Sequence, residues 1–119
     1  DTLANVDVFG RPVSCARFMG GREYETICQL LGGDISMGAE AAAIQQAIDE
    51  RWMVTPDFSQ GNGPFGHAQP ALLCPDKPPS PQAIATLYCA LMIDQRLNDL
   101  NASGPVYIEG TFLKTQPSF

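Results

Sequence analysis

Residues 83–93 read Ala-Ile-Ala-Thr-Leu-Tyr-Cys-Ala-Leu-Met-Ile, apolar almost all the way round a helix. A helix of that kind needs neighbours on more than one side, so the remainder of the chain must wrap it. Its start is marked by Ser80-Pro81, with serine as N-cap and proline as the first helical residue. The run turns polar at Asp94-Gln95-Arg96, keeps Leu97 and Leu100 on one stripe, and stops at Asn101-Ala-Ser-Gly104. At 119 residues the chain has room for one domain with a modest core around that helix.

Shorter elements precede it. Asn5-Val-Asp-Val-Phe9 and Val13-Ser-Cys-Ala-Arg-Phe18 are extended candidates joined by Gly10-Arg11-Pro12, which predicts a β-hairpin. Gly20-Gly21 breaks the second strand. Tyr24, Ile27, Cys28 and Leu31 then repeat with helical spacing, with Glu23 and Glu25 in the first turn and Gly32-Gly33 as the stop. A second helix is predicted over Ala39 to Trp52, with Ser36 as candidate N-cap and Ile44, Ile48 and Trp52 lining one face.

Residues 53–79 differ. Six prolines (Pro56, Pro64, Pro70, Pro75, Pro78, Pro79) and three glycines (Gly61, Gly63, Gly66) predict an irregular excursion, pinned to the surface by Phe58, Phe65, Leu72 and Leu73. At the far end, Gly104-Pro-Val-Tyr-Ile-Glu-Gly110 predicts a buried strand, Val106–Ile108, delivered to a glycine turn. Hairpin, helices and a helix feeding a strand make a mixed α/β domain.

Composition narrows the function. The net charge of −6, with scattered basic residues, argues against nucleic acid or an anionic membrane as a main partner. No apolar run approaches the ~20 residues that span a bilayer, and Asp1-Thr-Leu-Ala-Asn5 has no signal-peptide character. Cys15, Cys28, Cys74 and Cys89 form no C-x-x-C pair and His67 is the single histidine, so no zinc site is expected. Cys28 and Cys89 fall in apolar helical patterns as small core residues, and reduced thiols in a cytoplasmic protein are the expectation.

Three glycine-bearing stretches are candidates for chemistry. The turn at Gly110 presents backbone N–H groups to a phosphate, or is an ordinary strand-to-helix turn. Ala16-Arg-Phe-Met-Gly-Gly-Arg-Glu-Tyr-Glu25 either aims a helix N-terminus at an anion or uses its glycines for packing, with Arg22 and Glu23 solvated. Gly61-Asn-Gly-Pro-Phe-Gly66 is an anion nest or a set of turns. There is no G-x-x-x-x-G-K-[ST] motif. Asp49-Glu50 falls in a solvent-facing register, and neither it nor His67 is assigned base work.

Three stretches together resemble part of the C-terminal domain of the FGGY carbohydrate kinases. Asn5-Val-Asp-Val-Phe-Gly-Arg-Pro-Val13 looks like the family's hairpin, and residues 16–25 are close to the A-R-F-M-G-G-R-E stretch of one subgroup. Leu87-Tyr-Cys-Ala-Leu-Met92 through Gly104-Pro-Val-Tyr-Ile-Glu-Gly-Thr-Phe112 resembles the helix and strand that lead to the family's Gly-Gly nucleotide loop. The resemblance implies a partial actin-like, ribonuclease H-like ATPase domain over 1–119. It also implies transfer of the γ-phosphoryl of ATP, with Mg2+, to a sugar or polyol hydroxyl.

By the same resemblance Gly21, Glu25, Gly110, Thr111 and Thr115 occupy nucleotide-binding positions, with Glu25 where relatives carry Gln and Thr111 where the pattern carries a second glycine. The family's general base lies upstream of this segment, so no catalytic residue and no metal ligand is assigned here. The chain is then expected to be a fragment, inactive alone and prone to self-association through unpaired edges. A non-catalytic binding or scaffolding module of the same fold is the alternative, and a small disulfide-stapled secreted domain a third reading.

Overall fold

In the computed structural model, residues 2–34, 38–73 and 80–109 are described. Ser36, Cys74, Gly110, Thr111 and Thr115 lie outside the described residues. The chain begins with an antiparallel hairpin of β1 (Thr2–Val6) and β2 (Pro12–Ala16), registered from Thr2 opposite Ala16 to Val6 opposite Pro12. Its turn is built on Asp7. That carboxylate accepts from the backbone N–H groups of Phe9 (2.8 Å) and Arg11 (2.9 Å) and pairs with the Arg11 guanidinium at 2.8 Å. Gly10 supplies the positive φ of 77° that closes the turn.

Helix α1 (Gly20–Leu30) starts at Gly20, so the two glycines form its first turn rather than a break before it. A Cβ on Gly20 would sit 3.1 Å from the Phe18 ring, which would have to shift by a few tenths of an ångström to admit it. The helix ends as the sequence indicates. Gly32 takes φ 77°, its N–H donates to the Gln29 carbonyl, and that of Gly33 donates to the Cys28 carbonyl.

Helix α2 (Ala41–Asp49) ends three residues short of the expected Trp52. Arg51 adopts φ 57° and the Trp52 N–H donates to the Ala47 carbonyl, the same left-handed stop made here without glycine. The buried face keeps part of the expected one, since Ile44 and Trp52 pack against the core. Ala47 is fully buried, with Ala43 and Ile44 partly covered, whereas Ile48 is 48% exposed.

Two short pieces of the 53–79 excursion pair with each other, and residues 74–79 lie outside the described residues. β3 (Met53–Thr55) and β4 (Ala71–Leu73) form a second antiparallel sheet, and residues 56–70 run irregularly between them. Only part of the expected anchoring holds. Phe58 packs against the core, while Phe65 is exposed and the side chains of Leu72 and Leu73 are exposed although their backbone pairs with β3.

Helix α3 (Pro81–Asp99) is the centre of the domain and packs against α1, α2 and β3. Ala83, Ile84, Ala85 and Thr86 are buried in succession, as an all-round apolar helix requires. The Ser80 hydroxyl accepts from the Ala83 N–H at 3.2 Å and Pro81 opens the helix. Ser80→Ala should therefore cost about 0.5–2 kcal/mol in urea unfolding. A cost near zero would show that Pro81 and tertiary contacts define this end alone.

The expected strand Val106–Ile108 does not form among the described residues. It joins neither sheet, and Val106, Tyr107 and Ile108 are 53%, 91% and 52% exposed. A strand exists through its ladder, and both sheets are two-stranded with partners drawn from elsewhere. The core is Tyr24, Ile27 and Cys28 of α1, Ala39, Ala47 of α2, Val54 of β3, and Ala83, Ile84, Ala85, Tyr88, Cys89 and Met92 of α3.

Candidate functional site at the first turn of helix α1

The site follows from how α1 begins. Met19 is the N-cap and its side chain caps nothing, so no side chain covers the first N–H groups of the helix. The Glu23 N–H is the first to find a helical carbonyl, that of Met19, at 2.9 Å. Gly21 is the second helical residue; it is exposed, and a Cβ placed on it would meet nothing within 4 Å. Glu25 lies one turn further on the same exposed face. The turn therefore offers open backbone donors at the positive end of a helix, a geometry that suits a phosphate. Of the residues expected to bind nucleotide, the structure brings Gly21 and Glu25 together.

Glu23 is not solvated, as its place beside Arg22 had suggested. It is 1% exposed, and its Oε1 accepts from the Tyr88 hydroxyl of α3 at 2.8 Å. Burial pushes its carboxyl above the usual carboxylate range, although the Tyr88 hydroxyl and the Met19 N–H both pull the other way. The Tyr88 hydroxyl is in turn raised, by burial first and then by Glu23. Cys89, the next residue on α3, sits with Sγ 3.8 Å from the Gly20 carbonyl, and burial pushes its thiol up to about 12. It is a packing group and not a nucleophile. One signal in the sequence bears on Glu23: it stands one turn before Ile27, on the edge of the apolar stripe.

Beside α1 the irregular loop is organised by Asp57, which the sequence pattern did not single out. Its Oδ1 accepts from the Ser59 N–H at 2.7 Å and from the Ser59 hydroxyl, and its Oδ2 accepts from the Gly61 N–H at 2.8 Å. Burial raises the Asp57 carboxyl, but these bonds and the nearby His67 outweigh it and hold the group below the usual range. Of the stretch 61–66, read as an anion nest or a set of turns, the Gly61 N–H is taken by the chain's own Asp57 carboxylate. Gly61 has φ 84°, and a Cβ there would strike the His67 ring at 2.4 Å. Between the loop and α1 lies an open cleft of about 330 Å³ lined by Arg22, Thr26, Asp57, Ser59 and Gln60 among others.

Among the described residues no three His, Cys, Asp or Glu side chains gather as a metal site, and Cys15, Cys28 and Cys89 are free thiols. No helix of the described residues is long and apolar enough to cross a membrane.

Comparison with known proteins agrees with this architecture. The family model described as carbohydrate kinase FGGY, C-terminal domain, matches residues 1–118. The fold is similar to the crystal structure of a carbohydrate kinase from Novosphingobium aromaticivorans, with 35% sequence identity and a TM-score of 0.80. That similarity covers 97% of this chain and 26% of the other, so the chain spans about a quarter of that kinase's length. A search of curated protein sequences gave no match. With its mixed α/β elements matching a C-terminal domain of the actin-like ATPase fold, this chain belongs to the FGGY carbohydrate kinase family.

Proposed function

We propose that the chain is the nucleotide-facing part of an ATP-dependent kinase that phosphorylates a sugar or polyol hydroxyl. The observation that carries this reading is the first turn of α1: an uncapped helix start with Gly21 open to close approach and Glu25 exposed on the same face. In the proposal the α1 N–H groups hold a phosphate of the nucleotide and Glu25 meets its nucleoside end. Gly110, Thr111 and Thr115 join them by family resemblance. Magnesium would arrive with the nucleotide phosphates, whose charge it neutralises. No described residue is assigned to the metal, and no described carboxylate is assigned as base.

The same proposal takes residues 1–119 as a partial C-terminal domain with 53–79 as a proline- and glycine-rich excursion within it. These residues alone would not phosphorylate sugar. The free thiols of Cys15, Cys28 and Cys89 support a place in the cytoplasm. The exposed Val106–Ile108 segment supports association with another strand, from the same polypeptide or from a second copy.

Gly21→Ala separates this reading from a purely structural one. The position is helical with open space around it, so alanine should raise stability by about 0.5–1 kcal/mol. In the nucleotide-bound state the same methyl would stand between the backbone and a phosphate, and ADP affinity measured by titration calorimetry should fall. Unchanged ADP affinity in Gly21→Ala, or no sugar-dependent ADP release by the kinase polypeptide across a panel of sugars and polyols, would sink the proposal.

A further inference from the structure

Glu23 has no part in the nucleotide contacts proposed above, yet it occupies a costly place. The residue is 1% exposed, and while Oε1 accepts from Tyr88, Oε2 is buried without a hydrogen-bond partner among the described residues. Leaving such an atom unmatched is unfavourable, and an apolar side chain of similar volume would fill the space without that cost. Packing alone therefore does not account for a carboxyl here.

What surrounds the carboxyl indicates its use. Tyr88 reaches it across 65 residues of sequence, from the central helix α3. The adjacent Cys89 places its thiol toward the Gly20 carbonyl. Two consecutive residues of α3 thus hold two points of one helical turn, Gly20 and Glu23, and Gly21 lies between those points. The Tyr88 ring also receives Phe58 edge-on, with centroids 5.4 Å apart and planes at 89°. Phe58 follows Asp57, the anchor of the irregular loop. The start of α1, the centre of α3 and the loop therefore meet at a single hydrogen bond. Met19 supplies no side-chain cap, and its backbone N–H faces the same Glu23 carboxyl.

We infer that Glu23, held by the Tyr88 hydroxyl, is a positioning residue for nucleotide binding that fixes the first turn of α1 so that Gly21 and Glu25 meet a nucleoside di- or triphosphate in one geometry. The inference rests on the kinase reading of the same turn. Losing the bond frees the turn to rotate or slide against α3 while the apolar stripe beneath it stays packed. The result is a nucleotide site populated in several geometries and a weaker apparent affinity.

The test uses the kinase polypeptide that carries this chain, with ADP as probe in titration calorimetry, ATP in steady-state kinetics, and thermal unfolding recorded in parallel. Tyr88→Phe keeps the ring and deletes the donor; ADP Kd and the KM for ATP should each rise about tenfold, with kcat changing less. Glu23→Met removes the acceptor at similar volume and should do the same. Glu23→Gln keeps an acceptor oxygen for Tyr88 and should restore affinity to within about twofold of the parent. Ile84→Val, a core truncation on α3, should lower Tm without moving Kd. Parent-like Kd in both Tyr88→Phe and Glu23→Met would overturn the inference, as would a Kd that tracks Tm across all four variants. If Tyr88→Phe does not fold, the contrast between Met and Gln at position 23 decides alone. A parent protein that binds no ADP would overturn the kinase reading and this inference together, a result distinct from a parent that binds and variants that match it.

Discussion

Ile84→Ala will remove about 2–5 kcal/mol of stability, the usual range for deleting most of a fully buried isoleucine side chain. Ile84 is 0% exposed near the start of α3, within the cluster that includes Tyr24, Ile27, Ala47, Val54 and Met92. The loss has two parts: the transfer free energy of the deleted carbons and the cavity they leave among elements that do not fully close on it. Domains of this size hold only about 5–15 kcal/mol in total, so one such truncation consumes a large share of the margin. Urea unfolding should show a lower midpoint with an unchanged slope. Ile48→Ala is the contrast. Ile48 lies on α2 with 48% exposure, and its truncation should shift stability by roughly 0.5 kcal/mol or less. Equal costs at the two positions would mean that α2 presents the face expected from its sequence, with Ile48 inward.

The second large effect is the pH dependence set by Glu23. Its carboxyl is raised above the unfolded value of 4.5, so the native state holds the proton more tightly than the unfolded chain. The stabilisation that follows is complete below about 4.5 and is lost as pH rises through the folded value. Asp57 behaves in the opposite sense. Held below its unfolded value of 3.8, it stabilises above that pH and loses its contribution as pH falls through the folded value. The two carboxyls thus bend the stability curve from opposite ends. Glu23→Gln should remove the decline above 4.5 and leave the acid limb unchanged, because Asp57 is untouched. Tyr88→Phe should cost about 1–3 kcal/mol near neutral pH, where the buried Glu23 carboxyl loses its hydroxyl donor. Unfolding free energies measured across a pH series decide this. Parallel curves for the parent and Glu23→Gln would show that the carboxyl does not titrate differently in the folded state.

The pH effect and the positioning role arise from the same contact but are separable in practice. Stability reports the proton on Glu23, whereas ADP affinity reports where the first turn of α1 sits. Glu23→Gln should change the first and spare the second.

The features legible from the chain are those whose physics is local. The Gly32-Gly33 stop and the Ser80-Pro81 start each depend on a few adjacent residues and a backbone preference, and each forms as read, whereas the hairpin forms with its turn three residues earlier than Gly10-Arg11-Pro12, on Asp7. The all-round apolar character of residues 83–93 also carried over, since any fold containing that helix must cover it on several sides. The residue stretches 5–13, 16–25 and 87–112, taken in that order, resemble the family to which the chain belongs.

What stayed hidden depended on distant partners. Glu23 looks like a solvent-facing acid beside Arg22 until a tyrosine 65 residues away arrives to take its proton-accepting oxygen. Arg51 ends α2 in a left-handed conformation that no propensity favours, because Trp52 must leave the helix for β3 to begin at Met53. The three residues of β3 and of β4 are too short, and too far apart across a proline-rich loop, to signal their pairing. Val106–Ile108 reads as a strand from composition but forms none among the described residues, since β-structure is a property of two chains of backbone and not of one. Local turns and caps are written in neighbouring residues. The depth of a carboxyl, the inward face of a helix and the existence of a strand are settled only when separate segments come into contact.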